Sequence, residues 1–267
     1  MPSHSYECVL PDREGVARWA LEPAHTAIVF VHGYRGHYIK AWNKFPRLLT
    51  RGDNLPRHDL LFFKYDSKRD RAIISAKRLR DLLRKLHESA TEQLIQPSWP
   101  FATRASGGQF YDSIVLVAHS FGAIVARLAV FEGHRNAEAW VQKVRLALFA
   151  PAHHGHRYAE GQRGLLGAFF IALLNQRSLI DVDPKATDGG VAVLNRLGEA
   201  AAEVAGYDYL WAQLVRHTDN EDLVNVEQFF KDDPFEGLKY SCDHEKTCKP
   251  RDPTSPPFRD LFTLLDP

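Results

Sequence analysis

The residue whose type and surroundings best suit it to chemistry is a serine in the pentapeptide AHSFG at residues 118–122. The apolar, β-branched run 113–118 (SIVLVA) precedes it, and helical spacing of apolar residues follows over 122–131. On a strained turn between a strand and a helix, a serine hydroxyl is exposed, and small residues on either side let the backbone bend. The sequence predicts Ser120 as a nucleophile, with the N–H of Phe121 beside the developing oxyanion. The alternative is a serine in an ordinary strand-to-helix turn.

A serine nucleophile needs a general base, and the chain order serine, acid, histidine places that base after Ser120. The later histidines are His134, His153, His154, His156, His217 and His244. His244 is predicted as the base because it lies late in the chain, in a polar loop before the last helix. The cluster PAHHGH at 151–156 could suggest a metal site, but no cysteine or carboxylate lies beside it at ligand spacing. We therefore predict no metal and expect this loop to border the pocket, with His153 and His119 near the substrate.

The acid must orient the imidazole and stabilise its charged form. The segment HTDNEDLVN at 217–225 offers three carboxylates, Asp219, Glu221 and Asp222. Asp222 is preferred because the apolar pair LV that follows it would anchor the loop while the carboxylate turns inward. Asp219 remains the main alternative.

A second oxyanion donor is expected in the loop after an earlier strand. His32, Gly33 and Tyr34 directly follow the apolar run 26–31 (TAIVFV). The N–H of Tyr34 is the predicted donor, and Gly33 would permit the close approach. His32 precedes the nucleophile, so we expect it to be a hydrogen-bonded loop residue instead of the base.

The elements that must position these residues alternate along the chain. Strands are predicted over 26–32, 59–65, 113–118 and 144–150, and helices over 71–86, 122–131 and 258–265. The run 209–216 (YLWAQLVR) fits either type, and a strand is preferred because the loop after it needs one to position it. Alternating strands and helices predict a single α/β domain over 1–267, with a mostly parallel central sheet and helices on both faces.

At these residues the chain resembles the α/β-hydrolase superfamily. More narrowly, it is similar to the lipase-like serine esterases that include GPI-inositol deacylases and related serine-active-site proteins. The resembling pieces are FVHGYRG (30–36), FKYDS (63–67), VLVAHSFGAIVAR (115–127), FAPAHHG (149–155), DLVNV (222–226) and DHEKTCKP (243–250). The resemblance implies an α/β-hydrolase fold and an acyl-ester substrate. Ala118 stands where this family more usually has glycine.

With these parts the expected chemistry is hydrolysis of a carboxylic ester through an acyl-enzyme. A thioesterase or amidase could use the same triad. A binding protein with this fold is a different class, but such proteins usually lose a triad member, and candidates for all three are present here.

Residues 151–205 interrupt the alternation of strands and helices and are expected to form a helical cap or lid. The run 164–174 (GLLGAFFIALL) is apolar nearly all round if it is helical. It forms either an acyl-chain pocket, with Leu166 and Phe169 contacting substrate, or a buried helix over the sheet. Contact of this run with a membrane is a further alternative, but no basic face accompanies the run to support it.

Composition excludes several other classes. The net charge is +1, and no basic patch indicates nucleic-acid binding. No signal pattern opens the chain, and no apolar run is long enough to span a bilayer, so a cytoplasmic protein is expected. No cofactor is expected either. The small, odd number of cysteines predicts free thiols, with a bridge between Cys242 and Cys248 as the alternative.

Overall fold

The architecture is that of a computed structural model, which describes residues 4–9, 15–20, 24–50, 58–89, 96–97, 110–154, 181–183, 187–202, 210–219, 229, 233 and 239–265. Within these ranges the strands are β1 (His4–Val9), β2 (Gly15–Ala20), β3 (Thr26–Val31), β4 (His58–Phe63), β5 (Gln96–Pro97), β6 (Ser113–His119), β7 (Val144–Phe149), β8 (Ala212–Thr218) and β9 (Lys239–Tyr240). The α-helices there are α1 (Phe45–Leu48), α2 (Ala72–Glu88), α3 (Phe121–Arg135), α4 (Gly190–Ala202) and α5 (Pro256–Leu265). Short 3₁₀ helices include Lys40–Trp42, Ala139–Lys143 and His244–Cys248.

The strands form one sheet in the order β5-β1-β2-β4-β3-β6-β7-β8-β9. Pairing is parallel from β4 through β3, β6, β7 and β8 to β9, and antiparallel where β5, β1 and β2 extend the sheet beyond β4. The long crossovers between parallel strands carry the helices. The carboxyl ends of the parallel strands lie along one edge, where ligands of open α/β sheets bind.

Two apolar layers cover the two faces of the sheet, because successive side chains of a strand point to opposite faces. Val29 and Val31 of β3 pack with α2, α3 and α4 on one face. Ile28 and Phe30 of the same strand pack on the other face, with the aromatic residues near α1 and with α5. The predicted arrangement of a mostly parallel sheet with helices on both faces is confirmed.

The individual elements follow the hydrophobic patterns closely. Every predicted strand and helix outside the insertion is present, with ends that differ by a few residues, and the ambiguous run 209–216 contributes to strand β8. Besides the two-residue strands β5 and β9, the hydrophobic patterns do not predict β1 and β2. They precede the first parallel strand, and their sequences HSYECV and GVARWA mix polar residues into short runs.

A helix that crosses a bilayer must be both long and apolar. Among the described residues, none of the helices has both the length and the apolar character that crossing a membrane requires. The apolar run 164–174, with Leu166 and Phe169, lies outside the described residues.

Candidate active site

Ser120 lies at the junction between β6 and α3 with a backbone that few non-glycine residues adopt. Its φ is 52° and its ψ is −121°. Such a conformation costs about 1–3 kcal/mol and persists only when the surroundings hold it in place. The Ser120 N–H donates to the carbonyl of Phe149 at the end of β7, at 3.0 Å. Strand β7 thus fixes the turn from one side and leaves the serine side chain partly exposed.

Two glycines let the backbone close around this turn. A Cβ on Gly122 would lie 2.2 Å from the carbonyl oxygen of Val31 and 2.5 Å from that of His32. A Cβ on Gly33 would lie 3.0 Å from Ser120 Cβ. Helix α3 therefore sits directly on the end of β3, and the loop after β3 runs beside the serine.

The amide of Tyr34 has a direction that neighbouring hydrogen bonds determine. The carbonyl of Gly33 accepts the N–H of Gly36 at 3.0 Å and lies 2.9 Å from Nδ1 of His32. A carbonyl can only accept, so Nδ1 carries the proton in this contact. No peptide bond is cis, and the two groups of a trans peptide point in opposite directions. The Tyr34 N–H therefore points away from both donors.

The amide of Phe121 is set in the same way. The carbonyl of Ser120 accepts the N–H of Ala123 at 3.0 Å and that of Ala152 at 3.3 Å. The Phe121 N–H, at the start of α3, points to the opposite side. Within the part of the chain that the structure describes, neither this amide nor that of Tyr34 has a hydrogen-bond acceptor. Stabilisation of an oxyanion requires free N–H donors near the nucleophile, so the predicted roles of these two amides stay predictions.

His244 reaches this edge of the sheet through β9. Strand β9 pairs with β8, and the hydroxyl of Thr218 donates to the carbonyl of Cys242. The 3₁₀ helix His244–Cys248 begins immediately afterwards, and its first carbonyl accepts the Thr247 hydroxyl at 2.7 Å. Both cysteines in this region, Cys242 and Cys248, are free thiols.

The rings of His244 and His119 lie against each other beside the serine, with centroids 4.9 Å apart. Nε2 of His119 also donates to the carbonyl of His244 at 3.1 Å. Burial, together with the neighbouring His244, lowers the pKa of His119 to about 3, so this ring is neutral near pH 7. The structure thus places His244 next to the residue that precedes Ser120.

The serine-to-imidazole hydrogen bond itself remains a prediction. The Ser120 hydroxyl makes no hydrogen bond to any described residue, and such contacts in unliganded sites are often long and tighten when substrate binds. Asp222 lies outside the described residues. Asp219 is exposed at the end of β8, where its N–H donates to the carbonyl of Tyr240 at 3.1 Å. Asp222 therefore stays the predicted acid, with Asp219 as the alternative.

A buried ionic cluster that the sequence analysis missed lies under the loop 151–154. Arg127 of α3 is fully buried and pairs with Asp233, which is itself buried and also accepts the N–H of Ala212 at 2.8 Å. Nε of Arg127 donates to Nε2 of His153 at 3.1 Å, and the guanidinium lies over the ring of Phe229. His153 is 3% exposed, so the described structure gives its ring a partner inside the protein, and a substrate contact stays a prediction.

Replacing Arg127 with methionine is expected to destabilise the protein by about 3–5 kcal/mol, because Asp233 would remain buried without its cation. Urea unfolding monitored by fluorescence measures this change. A second substitution, Asp233→Asn, keeps the acceptor for the Ala212 amide and removes the stranded charge, so it should recover part of the loss. An Arg127→Met variant as stable as wild type, or no recovery in the double variant, would contradict this account of the cluster.

Comparison with known proteins adds information on the fold alone. No model of a known protein family matches the chain, and neither does any curated protein sequence. A monoacylglycerol lipase from Paleococcus ferrophilus has a similar structure, with 13% identity and a TM-score of 0.50, covering 91% of this chain and 93% of that one. A variant of a Pseudomonas aeruginosa protein assigned as an epoxide hydrolase gives 12% identity and a TM-score of 0.50, covering 100% and 95%.

A third solved structure, an α/β-hydrolase superfamily protein from Enterococcus faecalis, matches at 13% identity over 100% of this chain and 97% of that one. Its TM-score is 0.49. The parallel strand order, the strained strand-to-helix turn at Ser120 and the first two likenesses agree with each other. The chain therefore has the α/β-hydrolase fold.

Proposed function

We propose that the chain is a serine hydrolase that cleaves carboxylic esters through an acyl-enzyme on Ser120. The observation that carries the proposal is the backbone of Ser120, with φ of 52° between β6 and α3 at the carboxyl edge of the sheet. Gly122 packs on the end of β3, where a Cβ would lie 2.2 Å from the Val31 carbonyl oxygen, and a Cβ on Gly33 would lie 3.0 Å from Ser120 Cβ. Strain that the fold maintains at a serine is expected where the hydroxyl reacts.

The proposed steps follow from the positions of the neighbouring groups. His244 removes the proton from the Ser120 hydroxyl, and the oxygen attacks the ester carbon. The N–H groups of Tyr34 and Phe121 hold the resulting oxyanion until the alcohol leaves with the proton from His244. Water then hydrolyses the acyl-enzyme by the same route. Asp222 is the proposed acid behind His244, with Asp219 as the alternative.

The proposed substrates are lipid-like acyl esters. The name of the Paleococcus ferrophilus protein makes esters with apolar acyl chains the first compounds to test. Residues 151–205 are proposed to supply a cap over the site, with Leu166 and Phe169 along the acyl chain, while α4 near the end of this range packs in the helix layer on the sheet. His119 and His153 are the other proposed substrate neighbours, although both rings are buried in the described structure.

A panel of p-nitrophenyl esters with short and long acyl chains tests the proposal, with matched thioesters and anilides as comparison substrates. We expect the esters to be hydrolysed fastest, with a rate maximum at one range of chain length if the cap forms an acyl pocket. Faster cleavage of the thioester or the anilide would make the chain a thioesterase or an amidase instead of an esterase. The absence of turnover on the whole panel would favour a binding protein.

A further inference from the structure

We propose that Tyr65 is a positioning residue that holds both oxyanion-binding amides in place, an inference that rests on the proposed function. Tyr65 follows β4 by two residues and is nearly fully buried. It contacts the residues next to both amides. Its hydroxyl donates to the carbonyl of His32, and its ring lies on the rings of His32 and Phe121.

The first contact satisfies a carbonyl that the sheet leaves without a partner. The parallel pairing of β3 with β4 and β6 ends at Val31, so the carbonyl of His32 is the first one beyond the ladder. His32 is 2% exposed, and Gly122 packs directly on this oxygen. A buried carbonyl needs a donor, and the Tyr65 hydroxyl supplies it. This hydrogen bond fixes the point at which the chain leaves the strand and turns toward Ser120.

The second contact orients the side chain that holds the next peptide. The rings of Tyr65 and His32 are stacked, with centroids 4.4 Å apart and planes 22° apart. From this position Nδ1 of His32 donates to the carbonyl of Gly33, the other end of the peptide that carries the Tyr34 N–H. If the imidazole tilted, this carbonyl would keep only the hydrogen bond from Gly36, and the Tyr34 N–H would lose part of its orientation.

The third contact links the same tyrosine to the second donor. The ring of Phe121 stacks on Tyr65 with centroids 6.3 Å apart. The backbone N–H of Phe121 is the other proposed oxyanion donor. Tyr65 therefore lies behind both halves of the oxyanion site without reaching the reacting atoms. Burial raises the pKa of Tyr65 well above its ordinary value, so the hydroxyl keeps its proton and remains a donor.

Tyr65→Phe in the full chain tests this role, because phenylalanine keeps the ring and removes only the hydroxyl. Each variant is assayed with a p-nitrophenyl ester and with the matching thiono ester, in which sulfur replaces the carbonyl oxygen. Sulfur accepts hydrogen bonds weakly, so the thiono ester depends less on the two amides. We expect Tyr65→Phe to lower kcat for the oxygen ester roughly tenfold, since removing a whole oxyanion donor costs about 10²–10³-fold. KM should change little, and the ratio of oxygen-ester to thiono-ester rates should fall.

Tyr111→Phe is the matched control. Tyr111 is also buried, and its hydroxyl donates to Asp59 at 2.7 Å near the opposite ends of the strands. This variant can lose stability, but its oxygen-to-thiono ratio should equal that of wild type. An equal fall of both rates in Tyr65→Phe, or no fall in either, would overturn the positioning role while the hydrolase proposal stands. A lack of turnover in the wild type would instead remove the proposed function and this inference with it.

Discussion

Replacement of Ser120 with alanine is expected to lower kcat for ester hydrolysis by roughly 10⁶-fold, as loss of the nucleophile does in subtilisin. The reason is local, because alanine keeps the Cβ and removes only the attacking oxygen. The Ser120 hydroxyl makes no hydrogen bond to a described residue, so its loss leaves the packing around the turn unchanged. The variant should therefore fold and unfold like the wild type, with a similar Tm. Steady-state assays with the best ester of the panel measure the rate.

Ser75→Ala provides the comparison for this variant. Ser75 is a buried serine of α2 whose hydroxyl has no partner among the described residues. Its removal should leave both turnover and Tm near the wild-type values. If Ser120→Ala kept most of the wild-type activity, the nucleophile would have to be another residue. If it lost both activity and folding, the serine would have a structural role that the geometry does not show.

Replacement of Gly122 with alanine is expected to have the largest effect on folding, with a loss of several kcal/mol in the free energy of unfolding. The added Cβ would lie 2.2 Å from the Val31 carbonyl oxygen and 2.5 Å from that of His32. The Val31 carbonyl belongs to backbone that the sheet holds, and the buried His32 carbonyl directly follows it, so neither can move as a side-chain end would. Overpacking in a well-packed interior typically costs about 1–3 kcal/mol, and a clash with fixed backbone lies at or above that range. Chemical denaturation measures the change.

Activity should fall together with stability in Gly122→Ala, because α3 can accept the methyl group only by moving away from β3. That movement would carry the Phe121 amide away from the Tyr34 amide. Gly198→Ala is the control, since its Cβ would meet only the end of the Phe229 ring, at 2.9 Å. Alanine also favours a helix interior by about 1 kcal/mol relative to glycine. Equal stability of the two variants would mean that α3 does not pack on β3 as closely as described.

The parts of this fold that sequence patterns predicted are those with local causes. The runs 26–32 and 113–118 are β-branched and apolar because each strand is buried on both faces, and the spacing in α2 follows its one buried face. The serine turn was also predictable, since a strand, a small residue on each side of the serine and a helix all lie within a few positions of one another.

The parts that were missed depend on contacts between distant segments. Arg127 and Asp233 are 106 residues apart, and nothing near either one indicates the other. A charged residue in the otherwise apolar run 121–131 of α3 is the sign in the sequence that Arg127 is paired in the interior. The role of Tyr65 depends on a carbonyl 33 residues earlier in the chain. The choice of the acid depends on where the loop after β8 turns, which the pattern of residues 217–225 does not determine.

The central claim is that His244 activates Ser120, and reaction with a fluorophosphonate followed by peptide mass mapping tests it most directly. The wild type should carry one adduct, on the peptide that contains Ser120, because the reagent needs an activated serine and an oxyanion site. His244→Gln should lose the labelling while it remains folded. An adduct on another residue, or undiminished labelling of Ser120 in His244→Gln, would contradict the claim.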